Sequence, residues 1–294
     1  MQRQQNFIYG SDILNRVKEL YAPLFRSLSG IHVAIILVAP TINSDQSKYI
    51  AAEISAREKL KAFRSAGLLV DLIVLPCDIT IDSFRSILEE LNEDMRTVAV
   101  IIQMPVPERL RPVLLTLSKD KDVDGVTGAH PLYVHCAASE SALRILQPFL
   151  NKGVRVAIVG GRGFVGSAIV RSLQHQNIHC IIIDIGDDLN QVQDTEVIVS
   201  ATGHAELLDE RLLGAQHKLV VDIGFIPMKK KELYIFGDVS RRAYPLVSRI
   251  TPVPGGIGPL HIATLLERLA ETLHPLSVLK WIYKDEIIKL GSRF

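Results

Sequence analysis

Seven short, continuous segments rich in Val and Ile constrain this chain most: HVAIILV at 32–38, LVDLIVL at 69–75, VAVII at 98–102, VRVAIV at 154–159, CIIID at 180–184, VIVSA at 197–201 and LVVDI at 219–223. Such runs read as strands buried on both faces, which occur in parallel sheets covered by helices. Between them lie helix-length stretches with apolar residues every three to four positions: Ser55 to Ser65, Ile81 to Leu91, Ser141 to Leu150 and Val165 to His175. Strand, helix, strand repetition requires crossover connections and predicts an α/β fold. With 294 residues the chain has length for two domains. A boundary is expected at Asn151-Lys152-Gly153, where a helix ends and a strand begins. This gives an N-terminal α/β domain over 1–150 and a second domain over 151–274. A last amphipathic segment, Leu276 to Leu290, is expected to join the first domain, as part of a C-terminal stretch over 275–294.

Composition narrows the function classes. Lys+Arg 33 against Asp+Glu 32 gives a net charge of +1, which offers nothing to a polyanion, so no nucleic-acid partner is expected. Cys77, Cys136 and Cys180 are far apart and form no CxxC pair, which argues against a disulfide framework and a thiolate zinc site and favours a reducing, cytoplasmic setting. The N-terminal MQRQQNFIYG has no apolar h-region. The longest apolar run, Ile31 to Pro40, is too short to span a bilayer, so a soluble protein without a membrane partner is expected.

Gly160-Gly161-Arg162-Gly163-Phe164-Val165-Gly166 follows the VRVAIV run, and its last six residues fit GxGxxG. A strand precedes it, helix-compatible residues follow, and a second strand ends on Asp184 about 20 residues on. In such a loop glycines let the backbone approach a pyrophosphate, whose charge then rests on the N-terminus of the following helix. Gly161, Arg162, Gly163 and Gly166 are therefore candidate dinucleotide ligands. The competing account is a glycine turn that only packs helix on strand. Asp184 is suited to accept a hydrogen bond from a ribose 2′-hydroxyl and to repel a 2′-phosphate, which leans the reading to NAD over NADP.

Three more segments are rigid, polar and specific in order: Gln103-Met104-Pro105-Val106-Pro107, Lys121-Asp122-Val123-Asp124-Gly125 and Thr251-Pro252-Val253-Pro254-Gly255-Gly256-Ile257-Gly258-Pro259. Together with the glycine loop, and with VVDIG and GDV in the same order, they resemble the bifunctional methylenetetrahydrofolate dehydrogenase and methenyltetrahydrofolate cyclohydrolase family from about residue 10 to about residue 285. The resemblance implies an N-terminal folate-binding α/β domain and a C-terminal Rossmann-type domain that binds NADP or NAD. It also implies a tetrahydrofolate derivative in the cleft between them, and a homodimer. The implied reactions are oxidation of 5,10-methylenetetrahydrofolate by the nicotinamide cofactor and hydrolysis of the product to 10-formyltetrahydrofolate. Carried over by position, Gln103 orients a catalytic lysine and Pro105 sits in the same strand-end turn. Asp124 holds the pterin ring, Gly255, Gly256 and Ile257 line the folate site, and Ile223 lies in the cofactor site.

The sequence departs from the family at its catalytic helix. The family places a tyrosine four residues before the lysine, on one helix face. Aligned from the helix end at Gly67, Lys59 takes the lysine position and Ser55 replaces the tyrosine. Aligned on Tyr49, the residue four later is Glu53. The first register is preferred, with Tyr49 reaching the site from a longer preceding loop. Lys59 on a solvated face beside Arg57, Lys61 and Arg64 is the competing account. Cys136-Ala137-Ala138 stands where the family has Cys-Thr-Pro, and His261 where it has threonine. Gly161 and Arg162 replace the family's arginine and serine in the glycine loop, and the displaced arginine is associated with a 2′-phosphate, which again weakens NADP. Two other functions stay open: a monofunctional dehydrogenase that has lost the hydrolase, and a non-catalytic folate- or nucleotide-binding paralogue.

Overall fold

The computed structural model describes residues 6–28, 30–39, 46–229, 232–275 and 280–283. It divides into two compact units. One comprises Asn15–Ala137 and Ile262–Lys280, and the other Met1–Leu14, Ala138–His261 and Trp281–Phe294. We call them the lysine unit and the glycine-loop unit. They divide at Ala137/Ala138, and the turn at Asn151 to Gly153 lies inside the glycine-loop unit. Helix α4 (Ala137–Leu146) bonds within that unit through Ser139 Oγ, which donates to Val165 O at 3.1 Å. Trp281 is also assigned to the glycine-loop unit, fully buried under the Arg144 guanidinium at 4.8 Å. Most of the expected amphipathic segment Leu276 to Leu290 lies outside the described residues.

The lysine unit is built on a parallel three-stranded sheet of order β2-β1-β3, from β1 (His32–Val38), β2 (Leu69–Leu75) and β3 (Thr97–Gln103). Central β1 is buried from Val33 to Val38, as its aliphatic run predicts. The reading of LVDLIVL as buried on both faces is corrected: Leu69 and Val74 are half-exposed on edge strand β2, whereas the opposite edge strand, β3, is buried almost throughout. Helix α2 (Gln46–Ser65) follows β1 and starts earlier than Ser55, so residues 46–55 are helical rather than part of a long loop. Helix α3 (Ile81–Glu93) has Thr80 as its N-cap, which accepts from the Ser83 amide at 3.1 Å, and buries Phe84 and Leu88 one turn apart.

The glycine-loop unit carries a five-stranded sheet of order β10-β7-β6-β4-β5, from β4 (Val156–Val159), β5 (Cys180–Ile183), β6 (Val197–Ser200), β7 (Leu219–Asp222) and β10 (Ile250–Thr251). Every pairing is parallel. Strands β4, β6 and β7 are wholly buried, whereas edge strand β5 is only partly covered from Cys180 to Ile182. An antiparallel pair that the aliphatic pattern does not announce, β8 (Ile226–Lys229) and β9 (Leu233–Phe236), follows β7. Helix α5 (Phe164–His175) follows β4, and α6 (Ile257–Leu273) follows the Pro and Gly segment.

Lys121 pins the segment that leads to Asp124. Its Nζ donates to the carbonyls of Leu91, Asn92 and Asp94 at 2.8, 2.7 and 2.9 Å, capping the C-terminal end of α3. Replacing it leaves three carbonyls without a charged donor. Lys121→Met is expected to lower the unfolding free energy by about 1–3 kcal/mol in urea titrations, whereas a loss below about 0.5 kcal/mol would mean that water replaces the ammonium without penalty.

Candidate active site

Helix α2 places a lysine in the core. Ala52, Ala56 and Phe63 are 4%, 0% and 0% exposed, and they recur at the spacing of one helix face. Lys59 falls on this same stripe and is only 1% exposed, while Arg57, Lys61 and Arg64 point to solvent. A buried ammonium is costly unless it is paired and hydrogen-bonded. Lys59 Nζ donates to Gln103 Oε1 at 2.7 Å and to Ser55 Oγ at 3.0 Å. Gln103 ends β3, and its Nε2 donates to Met104 O at 3.0 Å, which turns Oε1 toward the lysine. Burial lowers the Lys59 pKa, and the charge of Asp124 opposes that shift.

Asp124 is 6% exposed, in a turn organised by its neighbours. Asp122 Oδ1 accepts from the amides of Gly125 and Val126, and Oδ2 from the amide and hydroxyl of Thr127, at 2.6–3.1 Å. From α6, the buried Arg268 donates to the carbonyls of Val123, Asp124 and His135 at 2.9, 3.2 and 2.7 Å and lies 4.2 Å from the Tyr133 ring centroid. The sequence motifs do not single out Asp122 and Arg268 as site residues. A signal exists for Arg268, a cation beside Glu267 in the mostly apolar stretch IATLLERLA. The peptide bond before Pro105 is cis, in the turn that follows Gln103.

Tyr49 lies on α2 ten residues before Lys59, about 15 Å along the axis at 1.5 Å per residue. Burial and the Glu53 carboxylate raise its pKa, with Arg57 opposing. The structure thus brings together Lys59, Gln103 and Ser55, with Asp124 close enough for its charge to act on Lys59, and it leaves Tyr49 almost three turns away.

In the glycine-loop unit, β4 lies between β5 and β6, so the chain crosses it after β5. Ligands bind at such a switch point, at the C-terminal ends of the strands. The loop is fitted for close backbone approach. Gly160 has φ +81, and a Cβ on Gly166 would stand 2.2 Å from Gly160 O. Gly163 caps α5 without a side-chain hydrogen bond, so the helix N-terminus offers its amides to an anion. A pocket of about 310 Å³ opens beside the loop, lined by Gly160, Gly163, Asp184, Ile185, Thr202 and His204 among others. This donor set fits a dinucleotide. Asp184 Oδ2 accepts from the Arg162 amide at 2.9 Å, which together with the Ile185 amide holds the carboxyl below its ordinary range. The Arg162 guanidinium is paired with Asp187 at 3.1 Å.

Gly255, Gly256 and Ile257 belong to a loop braced within this unit: Gly10 donates to Gly255 O at 2.8 Å and Gly256 to Pro252 O at 2.7 Å. A Cβ on Gly256 would meet Thr251 and Pro252 at 2.7–2.8 Å. The Ile223 amide donates to Ser200 O at 2.9 Å, just past β7. His261 is the fifth residue of α6, half-buried.

The acids of VVDIG and GDV interlock beneath the pocket. Asp222 accepts from the amides of Gly224, Asp238 and Val239 at 2.9–3.0 Å. Asp238 in turn accepts from Ser200 Oγ, the Thr202 amide and the His204 amide at 2.7–3.0 Å. Both carboxyls are fully buried. Burial and the adjacent Asp238 push the Asp222 pKa up to about 8.

Comparison with known proteins agrees across both units. Residues 9–124 match the catalytic domain of tetrahydrofolate dehydrogenase/cyclohydrolase, and residues 137–275 match its NAD(P)-binding domain. Among curated relatives, the bifunctional protein FolD of Listeria innocua is 29% identical over 276 residues, covering 87% of this chain and 91% of its own. That of Lactobacillus acidophilus is 29% identical over 235 residues, covering 75% and 82%. Among solved structures, the Trypanosoma brucei methylenetetrahydrofolate dehydrogenase-cyclohydrolase, complexed with NADP cofactor and inhibitor, superposes with TM-score 0.75 at 23% identity, covering 92% of this chain and 97% of that one. The Campylobacter jejuni bifunctional enzyme gives TM-score 0.75 at 24% identity, covering 90% and 97%. Among the described residues no helix is long and apolar enough to cross a membrane, and no cluster of three or more His, Cys, Asp or Glu is arranged to hold a metal.

The raised Asp222 pKa has a thermodynamic consequence. A carboxyl whose folded pKa lies above its unfolded value, here about 8 against 3.8, contributes stability that is fully present below the lower value and lost as pH rises through the upper one. The stability of the wild type relative to Asp222→Asn should therefore fall between pH 4 and 8, by at most about 1.4 kcal/mol per pH unit. Chemical denaturation of both proteins across that range checks this, and parallel curves would refute it. On two catalytic-domain and NAD(P)-domain matches that together reach from residue 9 to residue 275, the chain belongs to the tetrahydrofolate dehydrogenase/cyclohydrolase family.

Proposed function

We propose that the chain oxidises 5,10-methylenetetrahydrofolate to the 5,10-methenyl form with NAD(P)+ and then hydrolyses that product to 10-formyltetrahydrofolate. The observation that carries this reading is the buried Lys59 hydrogen-bonded to Gln103, with the Asp124 carboxylate acting on it. Bound NAD(P)+ supplies the hydride acceptor for the first step. The glycine loop from Gly160 to Gly166 carries the pyrophosphate on the backbone amides at the start of α5, with Gly161 giving close approach and Arg162 shaping the loop through its amide hydrogen bond to Asp184. Asp124 accepts two adjacent N–H groups of the pterin, a geometry that a carboxylate matches with both oxygens. Pro105, Gly255, Gly256 and Ile257 hold the folate by shape, and Ile223 sits with the cofactor.

In the hydrolytic step water adds to the methenyl carbon, a carbon–nitrogen bond opens, and one proton is released. Lys59 Nζ takes that proton. Burial lowers the Lys59 pKa and so favours the amine form that takes a proton, and Gln103 holds Nζ in place through its own bond to Met104 O. Tyr49, far along α2, contributes to the approach to the site rather than to proton transfer. The readings as a monofunctional dehydrogenase or a non-catalytic paralogue would need this lysine arrangement to be idle, and nothing favours that. We further propose that the protein works in the cytoplasm as a homodimer.

Purified protein is expected to reduce NAD(P)+ with methylenetetrahydrofolate and to consume methenyltetrahydrofolate in the absence of cofactor. Lys59→Ala should lower the hydrolysis kcat by about 10²-fold or more, the range of a positioned acid–base group. A variant that hydrolyses at the wild-type rate would remove Lys59 from the mechanism.

Asp184 favours NAD+, since its carboxylate would face a 2′-phosphate across the pocket and Arg162 is already paired with Asp187. The ratio of kcat/KM for NAD+ over NADP+ should exceed one and fall by about tenfold in Asp184→Ser, the loss of roughly one charged hydrogen bond. An unchanged ratio would leave Asp184 without a role in selection.

A further inference from the structure

We propose that Ser55 is a positioning residue for Lys59, fixing the single direction from which a proton enters or leaves Nζ. The inference deepens the reading of Lys59 as the proton carrier and rests on it. Ser55 precedes Lys59 by one helical turn on α2, so the 3.0 Å contact from Nζ to its Oγ is set by the helix itself. The second contact, 2.7 Å to Gln103 Oε1, comes from the end of β3, and the bond from Gln103 Nε2 to Met104 O prevents that amide from presenting its NH2 to the lysine. An amine has two N–H bonds and one lone pair, and an ammonium has three N–H bonds.

With two N–H groups committed to Gln103 and Ser55, one tetrahedral position remains. It is the lone pair of the amine and the third N–H of the ammonium, so the same position accepts the proton and later returns it. Gln103 alone would leave two equivalent positions for the lone pair and a side chain free to swing about its remaining bond. Asp124 is the charged group that acts on Lys59. Ser55 therefore does, through a short side chain held on the same helix, a job that needs only an acceptor oxygen one turn before the lysine. Accepting from Nζ also leaves the serine's own O–H able to donate elsewhere.

Ser55→Thr and Ser55→Val form the test, because they share shape and β-branching and differ by a hydroxyl against a methyl. If the wild type hydrolyses methenyltetrahydrofolate, Ser55→Val should lose about tenfold or more in kcat with the folate KM within about twofold, and Ser55→Thr should retain most of the rate. Equal rates in the two variants would overturn the proposal while leaving the function intact. Ser55→Ala, which keeps high helix propensity, repeats the loss should the valine variant not fold.

If the wild type does not turn over, the proposed function fails and a second readout decides the role of Ser55 independently. In protein labelled with [13C]lysine, the Lys59 Cε resonance is assigned by its loss in Lys59→Arg. Its titration midpoint should lie about half a unit or more lower in Ser55→Val than in Ser55→Thr, because an ammonium has lost an acceptor. Identical midpoints would overturn the proposal on that arm.

Discussion

A lysine driven into an aliphatic core is the constraint around which the lysine unit is organised. Lys59 occupies a position on α2 that Ala and Phe otherwise fill, and its charge or its amine must be satisfied there without bulk water. The chain meets that demand from three separate places: a serine one turn back on the same helix, a glutamine at the end of β3 and a carboxylate in the turn at Asp124. Each partner is itself held. Gln103 is oriented by Met104 O, and the Asp124 turn is tied by Asp122 from within and by Arg268 from α6. The expense of burying polar groups is thus spread over a network whose members fix one another, which gives a rigid site more readily than a set of exposed side chains would.

The glycine-loop unit solves a different problem with a similar device. A nucleotide pocket needs backbone amides free to meet phosphate, so the loop from Gly160 to Gly166 dispenses with side chains where they would collide with carbonyls. The neighbouring strand-end segment from Ser200 to His204 runs from a buried serine to an exposed Gly203 and His204. Asp238 holds it by accepting one hydroxyl and two amides from that segment, and Asp222 fixes Asp238 by accepting its amide. Two acids side by side in the core are tolerable because burial and mutual repulsion raise the pKa of Asp222, which lets that carboxyl keep a proton near neutral pH.

Much of this architecture is legible in the residues. The continuous aliphatic runs mark both parallel sheets, since a strand covered on two faces has no polar alternation to show. The runs at β2 and β5 mislead about burial for the same reason: hydrophobicity alone does not say which strand is left uncovered by its neighbours. The site is legible in part. The stripe Ala52, Ala56, Lys59 and Phe63 is a helix face readable by counting, and it singles out Lys59 from Arg57, Lys61 and Arg64, its exposed neighbours. That Lys59 meets Gln103 is not readable, because they stand 44 positions apart and meet only through the packing of α2 on the sheet. The role of Arg268 is hidden for a like reason: it lies beyond the whole glycine-loop sequence from the carbonyls it binds.

In the register that sets Lys59 at the family's lysine position, serine stands where the family has tyrosine, which bears on what that position must supply. A residue one turn before the lysine can act on Nζ directly or on the substrate by its bulk, and a serine retains only the first of these. The hydrogen bond from Nζ to Ser55 Oγ keeps the direct contact at the smallest size a hydroxyl permits. What is given up is aromatic area for a flat ring to rest on, and the order of α2 offers Tyr49 too far along the axis to restore it. In the proposed reaction substrate holding then falls more heavily on groups that recognise edges rather than faces, and Asp124 is the residue proposed for that part. This makes the turn from Asp122 to Thr127, and the Arg268 guanidinium that grips its carbonyls, more demanding of exact sequence than the helix in which the departure occurs.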